Sequence, residues 1–222
     1  MSPSARRIPW FVELVLVVVV ALLVAAFVRA FVAQAFYIPS GSMEDTLQQD
    51  DWIVVSKLGR YIGSPQRGDI VVFRDPGGWL PTVEASAGTV RRALEFVGVA
   101  PDSAEGDLVK RVIGVGGDTV SCCDAQGRLT VNEVAIDEPY LYPGDEPGDA
   151  PPGCPTAFEV TVPSGYLWVM GDHRSVSEDS RCQSGHRRFV PEDNLQGRAV
   201  VVVWPLSRLG VLARPDVFDT VP

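Results

Sequence analysis

The apolar run near the start of this 222-residue chain decides where the rest of it can be. Residues 8–28 hold one charge, Glu13, in 21 positions. At about 1.5 Å per helical residue they reach roughly 31 Å, the thickness of a bilayer's hydrocarbon core. Such a run crosses a membrane as a helix. Arg6 and Arg7 precede it and only Arg29 follows closely, so the bias of positive charge towards the cytoplasm puts residues 1–7 inside and the body outside. Trp10 and Tyr37 suit the two interfaces, and Glu13 lies within reach of Arg6 or water at the cytoplasmic end. The rival reading is a cleaved secretory signal, because Ala33-Gln34-Ala35 has the small-x-small form of a cleavage site. The stretch is longer than the ~7 to 15 residues of a signal core, however, and a cut there would leave Phe36 as the N-terminus, close to Ser42. We therefore read a single-pass anchor, residues 8–28, in the cell membrane. On either reading the body of the chain is extracytoplasmic.

The remaining residues suffice for one medium domain, or a core plus a smaller lobe. A net charge of -9, with acids thickest at 137–149, excludes the basic face that nucleic acid requires. Cys122, Cys123, Cys154 and Cys182 fit no paired C-x-x-C pattern, and His173 and His186 are the only histidines, so we expect no metal and no cofactor. Disulfides suit an oxidising compartment. The spacing favours a bridge from Cys122 or Cys123 to Cys154, since adjacent cysteines rarely pair, and leaves the other two undecided.

Past the anchor the chain reads as mainly β. "DWIVVSKL", "GDIVVFRD", "DLVKRVIGV", "DTVSC", "LTVNEVAI", "AFEVTV", "GYLWVMGD" and "RAVVVVWPL" are short, rich in Val and Ile, and separated by Gly, Pro or Asp. With no amphipathic helices alternating between them, an antiparallel sheet is expected. We place the catalytic core at 36–119 and 163–214, with a small inserted β lobe at 120–162. One modest helix is expected at 89–99, where Val90, Ala93, Leu94 and Val97 share a face. Residues 76–106 and 143–155, rich in Gly, Pro and acid, read as surface excursions. A hairpin is expected around Asn132 and Glu133, although Gly suits the second turn position better than Glu.

Chemistry is suggested by "FYIPSGSMEDTL", where Ser40, Gly41 and Ser42 follow the anchor. A serine hydroxyl needs a base. His173 and His186 both lie near carboxylates, so a Ser-His-Asp arrangement is one candidate. The other is Lys110. Two of the 19 basic residues are lysines, Lys57 and Lys110, against 17 arginines. Arginine keeps its proton, whereas a desolvated lysine can release one. On a strand, Lys110 shares its face with Leu108 and Val112, so its amine is either snorkelling at an edge, near Asp107 or Asp118, or buried. Burial can lower a lysine pKa by up to ~3 to 5 units. Lys57, near a strand end, has no comparable surroundings.

Four ordered blocks, "IPSGSM", "RGDIVVF", "LVKRVIGVGGD" and "MGDHRSVSEDSR", behind an N-terminal span, resemble the motif blocks of type I signal peptidases, membrane-bound Ser-Lys proteases, most closely the actinobacterial members. The resemblance covers nearly the whole chain after the anchor and is weakest in the two excursions. It implies Ser42 as nucleophile and Lys110 as general base. It also implies that the Ser40 hydroxyl joins the Ser42 N–H in an oxyanion hole, that Ser177 holds the lysine amine, and that Asp179 and Arg181 form an ion pair steadying their loop. Asp172 and Arg174 belong to the same block. His173 departs from the family, where Asn is common.

The substrates implied are preproteins carrying signal peptides, cut after small-x-small (Ala-x-Ala) sites near the outer membrane boundary by a monomer. Ile38, Pro39, Met43 and Val109 are the expected substrate-binding residues, with the shallow pockets of the "PSGSM" block admitting only small side chains. Two other readings compete: an anchored β-rich binding module without catalysis, and a related Ser-Lys protease that cuts itself. The second usually carries an effector region, which we do not find in the sequence. No serine is followed three residues later by lysine, so penicillin-recognising chemistry is excluded.

Overall fold

The computed structural model describes residues 9–58, 63–80 and 106–222. Helix α1, Trp10–Phe31, is apolar on every side and has no buried residue. A helix hydrophobic all round belongs inside a core or a membrane, and its length and composition suffice to cross one. It runs three residues past the expected end of the span and passes directly into a strand.

Among the described residues the body is two antiparallel sheets. The larger contains β1 (Ala33–Tyr37), β2 (Trp52–Ser56), β3 (Ile70–Arg74), β4 (Asp107–Gly114), β9 (Tyr166–Met170), β10 (Val190–Pro191), β11 (Leu195–Trp204) and β12 (Gly210–Val211), in the order β1-β2-β11-β3-β4-β9-β10 with β12 on β11. The smaller contains β5 (Thr119–Cys122), β6 (Leu129–Val131), β7 (Val134–Ile136) and β8 (Phe158–Thr161), ordered β7-β6-β5-β8. All eight expected strand segments are present. β1 is an addition: Ala33-Gln34-Ala35 pairs with Ser56, Val55 and Val54, so the small-x-small stretch is a sheet edge rather than a free linker.

The turn between β6 and β7 forms with both residues in the left-handed region, Asn132 at φ 51° and Glu133 at φ 67°. This is the geometry that matches the twist of paired strands. The Asn132 side chain secures it, accepting from the Thr119 N–H at 2.9 Å and donating to Asp118 at 2.9 Å. Glu133 itself is exposed.

Ile113, Trp168 and Met170 of the larger sheet pack with Val120, Leu129, Val131 and Ile136 of the smaller one, so the lobe shares its core with the main body. A second cluster, including Phe36, Ile38, Met43, Leu47 and Ile53, lies under the segment that follows β1. A third gathers Val71, Phe73, Trp79, Val112 and Val169, with Leu108 against it. As expected, Leu108 and Val112 share one side of β4.

Two expectations need correction. Cys154 is bonded to Cys182, and Cys122 to Cys123, in place of a bridge between Cys154 and the adjacent pair. Spacing could not decide this, because disulfide partners are set by which loops meet in space. The first excursion begins in the core: Trp79 is buried, donates to the Arg187 carbonyl at 2.8 Å and meets Phe73 edge-on. As expected, residues 143–155 lie at the surface with none of them buried, and they are hydrogen-bonded to the buried loop after β9. The expected helix at 89–99 and the tail at 1–7 lie outside the described residues.

Candidate active site

The segment 38–51 leaves β1 and returns to β2 as a closed loop. Ile38 and Asp51 clamp its ends, the Ile38 N–H donating to the Asp51 carbonyl at 2.9 Å, and Leu47 N–H to Met43 C=O at 2.7 Å forms a helical turn within it. Ile38, Met43 and Leu47 anchor the loop in the core, while Pro39 and Ser40 are exposed and Ser42 is half-buried. Apolar anchors on both sides thus hold a serine at the surface.

Lys110 enters from β4. Lys110 Nζ donates to Ser42 Oγ at 2.6 Å, and the lysine is 3% exposed. Burial pushes its pKa down to about 8, against the pull of Asp179, Asp172 and Glu178, with Arg181 acting in the same direction as burial. An amine with that pKa is partly neutral near pH 7 and can accept a proton from the hydroxyl it touches.

The loop after β9, residues 171–182, closes the other side. Gly171 lies so close to Ser42 that a Cβ there would meet the Ser42 carbonyl oxygen and Ser177 Cβ and Oγ, all nearer than 3.0 Å. Only glycine fits. Ser177 is buried beside it, and among the described residues its hydroxyl has no hydrogen-bond partner, Lys110 included. Asp179 and Arg181 pair at 2.9 Å, both fully buried. Burial pushes the Asp179 carboxyl up, but Arg181, the Gly171 N–H and Lys110 outweigh it and hold the carboxyl below its usual range.

Sequence reading missed a second network. Arg111, next to Lys110, donates to Asp172 through Nε at 2.8 Å and Nη2 at 2.6 Å, and lies 4.0 Å over the Tyr140 ring. Thr46 Oγ1 donates to the same carboxylate at 2.6 Å. One carboxylate thereby joins the serine loop, β4 and the loop after β9. A charged residue inside the apolar "LVKRVIGV" was the available signal for Arg111; nothing marked Thr46.

His173 lies near Ser42 without engaging its hydroxyl. Its backbone N–H donates to the Ser42 carbonyl at 3.2 Å, its ring stacks on Tyr142 at 3.8 Å, and Nδ1 faces Glu44 at 3.3 Å. Its ring is thus turned to Tyr142 and Glu44. His186 is exposed in a turn at Gly185–Arg188. Of the expected substrate-binding residues, Ile38 and Met43 are buried in the core, Val109 packs half-buried against their cluster, and Pro39 is open to solvent. Ser40 is exposed two residues before Ser42. Among the described residues no cluster of His, Cys, Asp or Glu has the form of a metal site.

A hydroxyl against a dry amine is a pair that can serve as nucleophile and base. Comparison with known proteins gives the family. Residues 11–204 match the family described as signal peptidase, peptidase S26. Signal peptidase I of Mycobacterium tuberculosis is 41% identical over 221 residues, spanning 90% of this chain and 74% of that protein. The probable signal peptidase I of Mycobacterium leprae is 40% identical, spanning 94% and 81%. The probable signal peptidase I-2 of Synechocystis is 36% identical, spanning 91% and 77%. The chain belongs to the S26 signal peptidase family.

Proposed function

We propose that this membrane-anchored peptidase removes signal peptides from exported preproteins, with Ser42 as nucleophile and Lys110 as general base. The observation that carries the reading is the 2.6 Å contact between Ser42 Oγ and a buried Lys110 Nζ. The Ser42 oxygen attacks the scissile carbonyl carbon as Lys110 takes the hydroxyl proton. The Ser42 N–H and the Ser40 hydroxyl receive the developing oxyanion; such donors are typically worth ~3 to 4 kcal/mol each in the transition state. Lys110 returns the proton to the leaving amine, giving an acyl-enzyme, and then activates the water that hydrolyses it. Ser177, whose buried hydroxyl has no competing partner among the described residues, steadies the ammonium; Asp179 and Arg181 fix its loop.

Substrate binds as an added strand, with small side chains over the floor of Ile38, Met43 and Val109 beside Pro39, so cleavage follows small-x-small sites. The N-terminus is cytoplasmic and the monomeric body extracytoplasmic, consistent with the arginine balance around α1 and the two disulfides. The test is to incubate the detergent-solubilised full chain with a preprotein whose signal ends in Ala-x-Ala. Wild type should cut after the second Ala and Ser42→Ala should not. Cutting by Ser42→Ala would overturn the mechanism, and no cutting by wild type would favour an anchored binding module.

A further inference from the structure

We propose that residues 138–154 form a strap that keeps the 171–182 loop closed over Lys110, and that the Cys154–Cys182 disulfide is the staple on which full activity depends. The proposal rests on the reading of Ser42 and Lys110 as the catalytic pair.

Several independent attachments converge on this one loop. Glu138 forms a fully buried pair with Arg174, whose Nη1 also donates to the Pro147 carbonyl at 2.8 Å and whose Nε donates to Gly171 C=O at 2.9 Å. Arg181 donates to the Asp149 carbonyl from the strap and, at 3.2 Å, to the Arg174 carbonyl within the loop. Asp145 accepts from the Ser175 N–H at 3.1 Å, and the Tyr142 N–H donates to the Asp172 carbonyl at 3.1 Å while its ring covers His173. The disulfide closes the far end, and Cys182 Sγ lies 3.8 Å from the Ser177 carbonyl. Every group that the loop brings to Lys110, namely Asp172, Glu178, Asp179 and Arg181, lies between the first of these attachments and the last. A five-proline acidic segment, which by composition belongs in solvent, is thus spent on holding the catalytic loop. These are positioning residues, since none touches Ser42 Oγ or Lys110 Nζ.

The test uses the full chain in detergent, oxidised or reduced with dithiothreitol. The dithiol gives two electrons and two protons to the Cys154–Cys182 bond and becomes its own cyclic disulfide. Once the loop opens, water reaches Lys110, so on reduction kcat at pH 7 should fall about tenfold with KM changing less. The acid limb of the kcat profile should also move up by about one pH unit. Amide hydrogen exchange over 171–181 should quicken, and reoxidation should restore all three. Cys154→Ser/Cys182→Ser should resemble the reduced enzyme and ignore dithiothreitol. Cys122→Ser/Cys123→Ser should stay active when oxidised and remain sensitive. If the first double variant does not fold, partial reduction of wild type, with free thiols counted against activity, supplies the same comparison. Unchanged kcat and acid limb on reduction would overturn the proposal. Should oxidised wild type show no Ser42-dependent cutting, the function above fails, and exchange over 171–181 alone decides the strap: quickened on reduction supports it, unchanged refutes it.

Discussion

Lys110 Nζ meets Ser42 Oγ at 2.6 Å from a site 3% exposed, across 68 residues of sequence. In the neutral amine the same contact can reverse its direction, with the hydroxyl donating. Cleavage should therefore rise about tenfold per pH unit below pH 8 and level off above it, because the reactive form is the neutral one. The measurement is kcat/KM between pH 5.5 and 9.5. A flat profile, or a limb near pH 6.5 of the kind histidine gives, would assign the base elsewhere.

Replacing the lysine separates charge from basicity. Lys110→Arg should be as inactive as Lys110→Ala, since a guanidinium keeps its proton. Substantial activity in the arginine variant would refute Lys110 as base.

Burying this amine should also cost stability. Its folded pKa of about 8 lies below the unfolded value near 10.5, so between those pH values the unfolded chain holds the extra proton and stability rises with pH. Below pH 8 the full penalty applies, on the order of 3 kcal/mol. Lys110→Met should therefore unfold at higher denaturant than wild type at pH 7, with the advantage shrinking towards pH 10. Chemical denaturation of the two at both pH values checks this, and equal stability at pH 7 would mean that the nitrogen is hydrated.

Gly171→Ala should lose activity by about 10²-fold or more, because a Cβ there would displace Ser42 or Ser177 and small misplacements of reacting groups are that costly. Steady-state kinetics on the folded variant would show the loss in kcat. An active alanine variant would mean that the backbone can give way.

Two ion pairs should answer very differently to removal. Asp172→Ala strands the buried Arg111 and Thr46 groups and should destabilise the protein by about 3 to 5 kcal/mol. Arg198→Ala removes a half-exposed partner of Asp69 and should cost within about 1 kcal/mol. Denaturation midpoints measured side by side decide between them.

Much of the sheet was legible because each strand is a short Val/Ile segment fenced by Gly, Pro or Asp. β1 was not, because "AQAFY" follows the anchor without any such fence and takes its order from pairing with β2. An arginine-rich composition, an apolar strand and a small-residue loop made Ser42 and Lys110 candidates, and the resemblance of the four motif blocks chose Lys110 over the histidines. The family resemblance supplied Ser177, Asp179, Arg181, Asp172 and Arg174, but not what two of them meet: Asp172 bonds Thr46 across 126 residues, and Arg174 bonds Glu138 across 36. Those meetings follow from the order of strands, which local pattern does not encode. The Cys154–Cys182 bond belongs with them, since it records which loops are neighbours.

The central claim concerns the protonation of one nitrogen, and the composition makes it directly observable. Lys57→Arg leaves Lys110 as the only lysine, so a chain labelled with carbon-13 at lysine Cε gives a single resonance whose shift reports the charge. Titrated in detergent from pH 6 to 12, that resonance should turn over near pH 8. A midpoint near the ordinary lysine value of about 10.4 would show a solvated ammonium and contradict the account.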